Sequence, residues 1–262
     1  MRRHVMKTTL AAAAAAMLVA APAQAIVHET LTIPTSVDGA TLHVEVARPD
    51  GDAKVPIILT YSPYNELSVT NALTATNIAD DALAATFVPK GYARAVADVI
   101  GTRDSTGCWD YGGAKEQQSG VDLVNALAKL PWSNGRVGMI GGSYDGTTAN
   151  MVAARGPDVP ALRAIVPESA INHWYGYAYQ DGVRYFGNTQ VPTDEGVDTP
   201  LGFDFAIART PPDQPTDPAF ATALAGRYMP CDSVDHTMHG YSATPDYDDF
   251  WLQRDYRKDA AH

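Results

Sequence analysis

Short apolar runs separated by amphipathic stretches set the rhythm of this chain. Residues 30–33 and 41–47 alternate apolar and polar with the period of two of half-buried strands, and Val37-Asp38-Gly39-Ala40 carries the turn between them. An antiparallel opening hairpin is predicted. Four further runs, 55–61, 92–99, 137–140 and 162–167, are apolar almost throughout, and helix-compatible stretches at 77–88 and 116–130 lie between them. Strands that alternate with helices and are apolar on both faces predict an α/β fold whose mostly parallel sheet is covered on both sides. In such sheets ligands gather outside the carboxyl ends of the strands. Ser62-Pro63-Tyr64, the loop 101–107 and Ser143 all fall there.

After Pro167 the rhythm stops. Trp174, Tyr175, Tyr177, Tyr179, Tyr185 and Phe186 crowd one stretch, and Pro211, Pro212, Pro215 and Pro218 another. This predicts a helical and irregular insertion, a cap over the sheet edge, from 168 to about 255. For any single ring, core packing is the default role of an aromatic. Glu168, Trp174 and Tyr175 are the residues of this region taken as substrate contacts.

The amino terminus has a different character. Arg2, Arg3 and Lys7 precede an apolar stretch from Thr8 to Ala21 and the small-residue site Ala23-Gln24-Ala25, which together read as a cleavable export signal, with Arg2-Arg3 resembling a twin-arginine leader. The run is short for a membrane anchor. The predicted division is therefore residues 1–25 as signal, 26–167 as the sheet-forming core and 168–262 as cap insertion and end. Removing the signal leaves 16 Lys and Arg against 30 Asp and Glu, a formal charge of −14 instead of −11. That excess argues against nucleic acid or an anionic membrane as partner. Cys108 and Cys231 are the two cysteines, and in an exported chain such a pair is read as a bridge. Asp232, Asp235, His236 and His239 beside Cys231 form the densest cluster of metal-ligating types, but a polar loop accounts for them, and no metal or cofactor is expected.

The candidate chemistry sits at Val137-Gly-Met-Ile-Gly-Gly-Ser-Tyr-Asp-Gly146. An apolar strand runs into Ser143 and small, helix-compatible residues follow, the strand-turn-helix of a nucleophile elbow. Gly141, Gly142 and Gly146 are expected to supply the small neighbours that so sharp a turn needs. Asp145 departs from the usual pattern, which has glycine there, and the glycine comes one place later. A serine so placed points to acyl transfer.

These residues resemble the family of X-prolyl dipeptidyl-peptidases, cocaine-esterase-like hydrolases and glutaryl acylases. Trp132-x-x-Gly135-x-Val137-Gly138-Met139-x-Gly141-x-Ser143-Tyr144-x-Gly146 matches its elbow, in which a tyrosine follows the serine and the glycine is displaced by one. Pro63-Tyr64, the stretch Asp98 through Gly101, Ser105, Gly107 and Trp109, and Asp249-Phe250-Trp251-x-x-Arg254 agree as well. The resemblance implies an α/β-hydrolase fold with an inserted helical cap. It implies Ser143 as nucleophile, and an oxyanion hole built from the backbone N–H of Tyr144 and the phenol of Tyr64. It implies hydrolysis of X-Pro dipeptides from peptide N-termini, or of ester or amide acyl groups, through an acyl-enzyme. One departure is Ile100, where the family carries arginine two places after Asp98; Arg103 lies nearby.

In α/β-hydrolases the triad acid and histidine follow the cap. By resemblance, 249–254 comes just before the next sheet strand, so the sheet is expected to be incomplete at the C-terminus. His28 and His43 belong to the opening hairpin, while His173, His236 and His239 fall in the cap and His262 is terminal. The expectation is a truncated member with little turnover of its own. The alternative is a catalytically inactive fragment or an exported binding protein that retains the serine. Nothing in the pattern sets an oligomeric state.

Overall fold

In the computed structural model, residues 25–64, 81–184 and 246–259 are described. The leader predicted for 1–25 therefore lies, apart from Ala25, outside the described residues, as do Tyr185, Phe186, the proline-rich stretch, Cys231, His236, His239 and His262.

Six strands form one sheet in the order β1-β2-β4-β3-β5-β6. They are β1 (Ile26–Pro34), β2 (Thr41–Pro49), β3 (Val55–Ser62), β4 (Ala93–Asp98), β5 (Ser133–Gly142) and β6 (Leu162–Glu168). The opening hairpin is antiparallel, in register from Ile26 against Pro49 to Pro34 against Thr41. Its turn closes through Ala40 N–H on the Val37 carbonyl at 2.8 Å. Asp38 and Gly39 both take positive φ, 48° and 71°, which Asp-Gly tolerates better than other pairs. Strand β2 meets β4 antiparallel, and β4, β3, β5 and β6 then run parallel. The predicted α/β architecture with a mostly parallel sheet is the observed one.

The all-apolar reading of the inner strands has a simple cause. Every residue of β4 is buried. Alternate positions point to opposite faces. Val46, Ala95 and Ala97, with Ile57, Leu59 and Tyr61 of β3, join the main core; Ala47 and Val96 pack with Ala84 and Val88 in a second cluster. Helix α1 (Ala82–Phe87) and the 3₁₀ turn after it supply that second cluster. On the main side lie α2 (Ala114–Ala128) and α3 (Tyr144–Ala153). They approach closely at Gly120, where a Cβ would meet Val152 Cγ2 at 2.6 Å and the Tyr61 ring at 3.4 Å.

Short elements complete the described part: α4 (Trp174–Ala178), the two-stranded β7 (Tyr179–Gln180) and β8 (Val183–Arg184), and α5 (Asp249–Leu252). The segment 246–259 docks beside the elbow. Arg254 Nε and Nη2 donate to the carbonyls of Tyr111 and Asp110 at 3.1 and 2.6 Å, and the Tyr256 hydroxyl donates to the Gly112 carbonyl at 2.7 Å. Tyr256 N–H pairs with the Asn172 carbonyl at 3.0 Å. Among the described residues no helix is long and apolar enough to cross a membrane.

Candidate active site

Ser143 is the residue between the end of β5 and the start of α3. Its φ of 57° and ψ of −121° lie in a region that side-chain-bearing residues seldom adopt, a strain that persists only where the surroundings enforce it. The enforcing contacts are backbone ones. Ser143 N–H donates to the Glu168 carbonyl at 2.8 Å, and the Ser143 carbonyl accepts from Thr147 N–H at 2.9 Å. The side chain is thereby lifted above the strand ends into solvent.

Two of the three neighbouring glycines are required by space. A Cβ on Gly141 would collide with Asp145, meeting its carbonyl carbon at 2.8 Å, and one on Gly146 would meet the Gly141 oxygen at 2.8 Å and the Glu168 oxygen at 2.9 Å. Gly142 corrects the expectation: a Cβ there meets nothing within 4 Å. The displaced glycine at 146 is thus the one that lets α3 pass over the end of β6.

The Tyr64 phenol oxygen lies 3.1 Å from Ser143 Oγ and accepts the Tyr144 backbone N–H at 3.3 Å. Strand ends bring these groups together, β3 delivering Tyr64 and β5 delivering Ser143. Tyr64 is fixed through its own backbone, whose N–H donates to Ser62 Oγ at 3.0 Å, and the Ser62 hydroxyl is in turn hydrogen-bonded to Asp145. Burial pushes the Asp145 carboxyl up to about 7, against the opposing pull of Ser62 and Arg94. Arg94 is itself engaged with Asp81 at 2.9 Å.

Beneath the elbow the Tyr144 ring packs edge-on to Trp109 and Tyr111 and tilted against Trp174. Its hydroxyl donates to Glu116 Oε2 at 2.8 Å. The Trp109 indole N–H and the Gly112 N–H reach the same oxygen at 2.8 and 2.7 Å. Burial pushes Glu116 up to about 7, and nearby Asp110 adds in the same direction. Glu116 carries little signal in the sequence, because one acid near the start of a helix is ordinary; what marks it locally is its place in the first turn of α2.

The residues taken as substrate contacts separate. Trp174 has no exposed surface, and its indole N–H donates to Tyr256 at 2.8 Å, so it is packed core and not a substrate surface. Tyr175 is half-buried and stacks on Tyr179. Glu168 presents an exposed side chain at the end of β6, next to the carbonyl that holds Ser143. Cys108 is disulfide-bonded; Cys231 lies outside the described residues. Arg103, left-handed at φ 42°, brings its guanidinium to 3.7 Å from Asp98 and 3.0 Å from Glu45, which supplies the cation that Ile100 does not. His43 Nδ1 also bonds Asp98, at 2.9 Å, and this raises its pKa. His43, Asp98 and Asp104 are close enough together to bind a metal, but Arg103 already serves that cluster. Among the described residues no histidine hydrogen-bonds Ser143: His43 is held by Asp98 and His173 lies against Asp255.

Comparison with known proteins agrees with this geometry. The chain is 33% identical over 269 residues to the "Putative Xaa-Pro dipeptidyl-peptidase" of Streptomyces avermitilis, covering 90% of this chain and 36% of that one. It is 38% identical over 111 residues to the Xaa-Pro dipeptidyl-peptidase of Pediococcus pentosaceus, covering 37% of this chain and 13% of that one. Among solved structures, a CocE/NonD family hydrolase from Staphylococcus aureus superposes with a TM-score of 0.62 at 20% identity, over 88% of this chain and 41% of that one. An α-amino acid ester hydrolase does so at 0.54 and 25%, over 92% and 41%. The chain spans well under half the length of these relatives. Residues 38–262 match the profile of the X-Pro dipeptidyl-peptidase (S15) family. The chain therefore belongs to that family and has its α/β-hydrolase fold.

Proposed function

We propose that this protein is an exported serine hydrolase that cleaves X-Pro dipeptides from peptide N-termini, with ester or amide acyl groups as the second substrate class. The carrying observation is the strained Ser143 at a strand end, with the Tyr64 phenol at 3.1 Å and the Tyr144 N–H directed at that phenol. Ser143 Oγ attacks the carbonyl carbon of the proline while its proton passes to a general base. The carbonyl oxygen becomes an oxyanion, and takes over the Tyr144 N–H and the Tyr64 hydroxyl as donors, a stabilisation of about 3 kcal/mol for each. Collapse breaks the C–N bond, the amine departs with a proton from the base, and water then releases the dipeptide from Ser143. The base must reach within about 3 Å of Oγ. No described histidine does; in the α/β-hydrolase order of serine, acid and histidine the base follows the cap. Glu168 would hold the substrate's ammonium group. The leader read in residues 1–25 supports export.

The test is hydrolysis of Ala-Pro-p-nitroanilide and p-nitrophenyl butyrate by the protein and by Ser143→Ala. Release that disappears in the variant supports the reading. Equal rates in the two proteins would refute turnover at Ser143 in this chain and leave the catalytically inactive fragment, or the binding protein that retains the serine.

A further inference from the structure

We propose that Glu116 is a positioning residue for the oxyanion hole, holding the Tyr144 phenol from below so that the Tyr144 backbone N–H stays aimed at the Tyr64 oxygen. The inference rests on the acyl-transfer reading given above and concerns a residue that does not touch substrate.

Three donors from three places converge on one carboxylate oxygen: the Tyr144 hydroxyl from α3, the Trp109 indole from the loop after β4, and the Gly112 amide just before α2. The other oxygen, Oε1, is buried and has no hydrogen-bond partner among the described residues. A helix cap alone does not require this. The glutamate reaches back past the N-cap Gly113 to the Gly112 amide, one residue beyond the bond of a capping box, and Asp110 already takes the Lys115 and Glu116 amides at 2.9 and 3.1 Å. An acid that is wholly buried with one oxygen unsatisfied is costly to keep. What it adds beyond capping is the pair of ring contacts.

Those rings reach the site by the shortest route. Tyr144 directly follows Ser143, so its phenol anchor and its backbone N–H belong to one residue at the first turn of α3. The Trp109 indole N–H lies 3.0 Å from the Tyr144 oxygen as well as on Glu116, which closes a three-membered ring of polar contacts. Other ionisable groups around Glu116 are Asp110 from the same loop, Tyr61 from β3, Tyr256 from the docked segment and Arg254 beside Asp110. Of the groups hydrogen-bonded to Glu116, Tyr144 alone continues into the oxyanion hole.

The experiment uses Glu116→Gln, which keeps shape and an acceptor but loses the charge-assisted bonds, together with Tyr144→Phe and the double variant, assayed at pH 8.5. Each single variant is expected to lower kcat about tenfold, less than the loss of a donor itself, with KM within about twofold. The double variant is expected to fall no further, because both changes remove one contact. In ¹⁵N-labelled protein the Trp109 indole and Tyr144 amide resonances should both move in Glu116→Gln, while the Trp251 indole stays in place. Unchanged kcat in Glu116→Gln, or losses that multiply in the double variant, would overturn the proposal. If the unmodified protein has no Ser143-dependent turnover, the acyl-transfer reading has failed instead. The Tyr144 amide then tests the geometry alone: an unmoved resonance in Glu116→Gln overturns the claim that Glu116 aims this N–H, and a moved one upholds that claim without a catalytic role.

Discussion

Replacing Asp145 by asparagine should flatten the dependence of stability on pH. Asp145 stands at the first turn of α3 with a side chain that is almost entirely buried. It has the Ser62 hydroxyl as a partner, while Oδ1 has none among the described residues. The nearby cation, Arg94, is bonded to Asp81 and to the carbonyls of Ile58 and Ala95, so one guanidinium serves two acids. Dehydration therefore dominates and moves the carboxyl from its ordinary 3.8 to about 7. A carboxyl raised in the folded state binds its proton more tightly there than in the unfolded chain. Its contribution is complete below about pH 4 and is lost as pH climbs through 7. At about 1.4 kcal/mol per pH unit the full effect is up to about 4 kcal/mol. Asparagine keeps an acceptor for Ser62 and has no proton to lose. Urea unfolding at pH 5, 6.5 and 8 should show the difference between the two proteins shifting by about 3 kcal/mol in favour of Asp145→Asn. Glu116 moves both proteins alike and cancels. A difference constant to within about 0.5 kcal/mol would show that Asp145 stays ionised throughout, neutralised by Arg94, and would refute the reasoning.

The remaining outcomes follow from single contacts. Gly141→Ala should cost about 2 kcal/mol or more, since its new methyl meets the Asp145 backbone, whereas Gly142→Ala should stay within about 0.5 kcal/mol; thermal denaturation of the pair separates them. Tyr64→Phe should lower Ser143-dependent kcat by roughly a hundredfold or more with KM little changed, and an unaltered kcat would remove the phenol from the oxyanion hole. Cys108→Ser should lower unfolding stability by about 2–4 kcal/mol, and reduction of the unmodified protein should have the same effect; no change on either would mean that the bridge does not restrain the fold.

What could be read from the residues was whatever repeats along the chain. Alternation marks β1 and β2, and runs of apolar residues mark the inner strands, most plainly β4, which is buried at every position and so has no polar ones; β6 carries such a run too, although most of its residues are exposed. Strand β5 nevertheless begins at Ser133, four residues before its apolar run, where Val55 pairs with Ser133 and accepts no help from hydrophobicity. The elbow was legible because its parts are consecutive. Its supports were not, since Glu116, Trp109 and Gly112 meet Tyr144 only after a strand and a helix have folded back. Gly142 misleads for the opposite reason: adjacency to Ser143 predicts crowding, and a Cβ there meets nothing within 4 Å. Trp174 looked like a ligand surface because aromatic density alone does not distinguish a ring facing solvent from one facing Tyr256.

The docking of Arg254 and Tyr256 on residues 110–112 also has a consequence in time. These bonds join positions 143 and 144 apart in the chain. A ribosome adding about 5–20 residues per second leaves on the order of ten seconds between making the loop and making the segment that fixes it. By the later part of that interval strands β1–β6 and the serine turn have been synthesised, while residues 110–112 still lack their partners Arg254 and Tyr256. Assembly of the site is therefore a late, long-range event. A nascent chain released before residue 256 would carry the whole serine motif and still lack the contacts that set its depth.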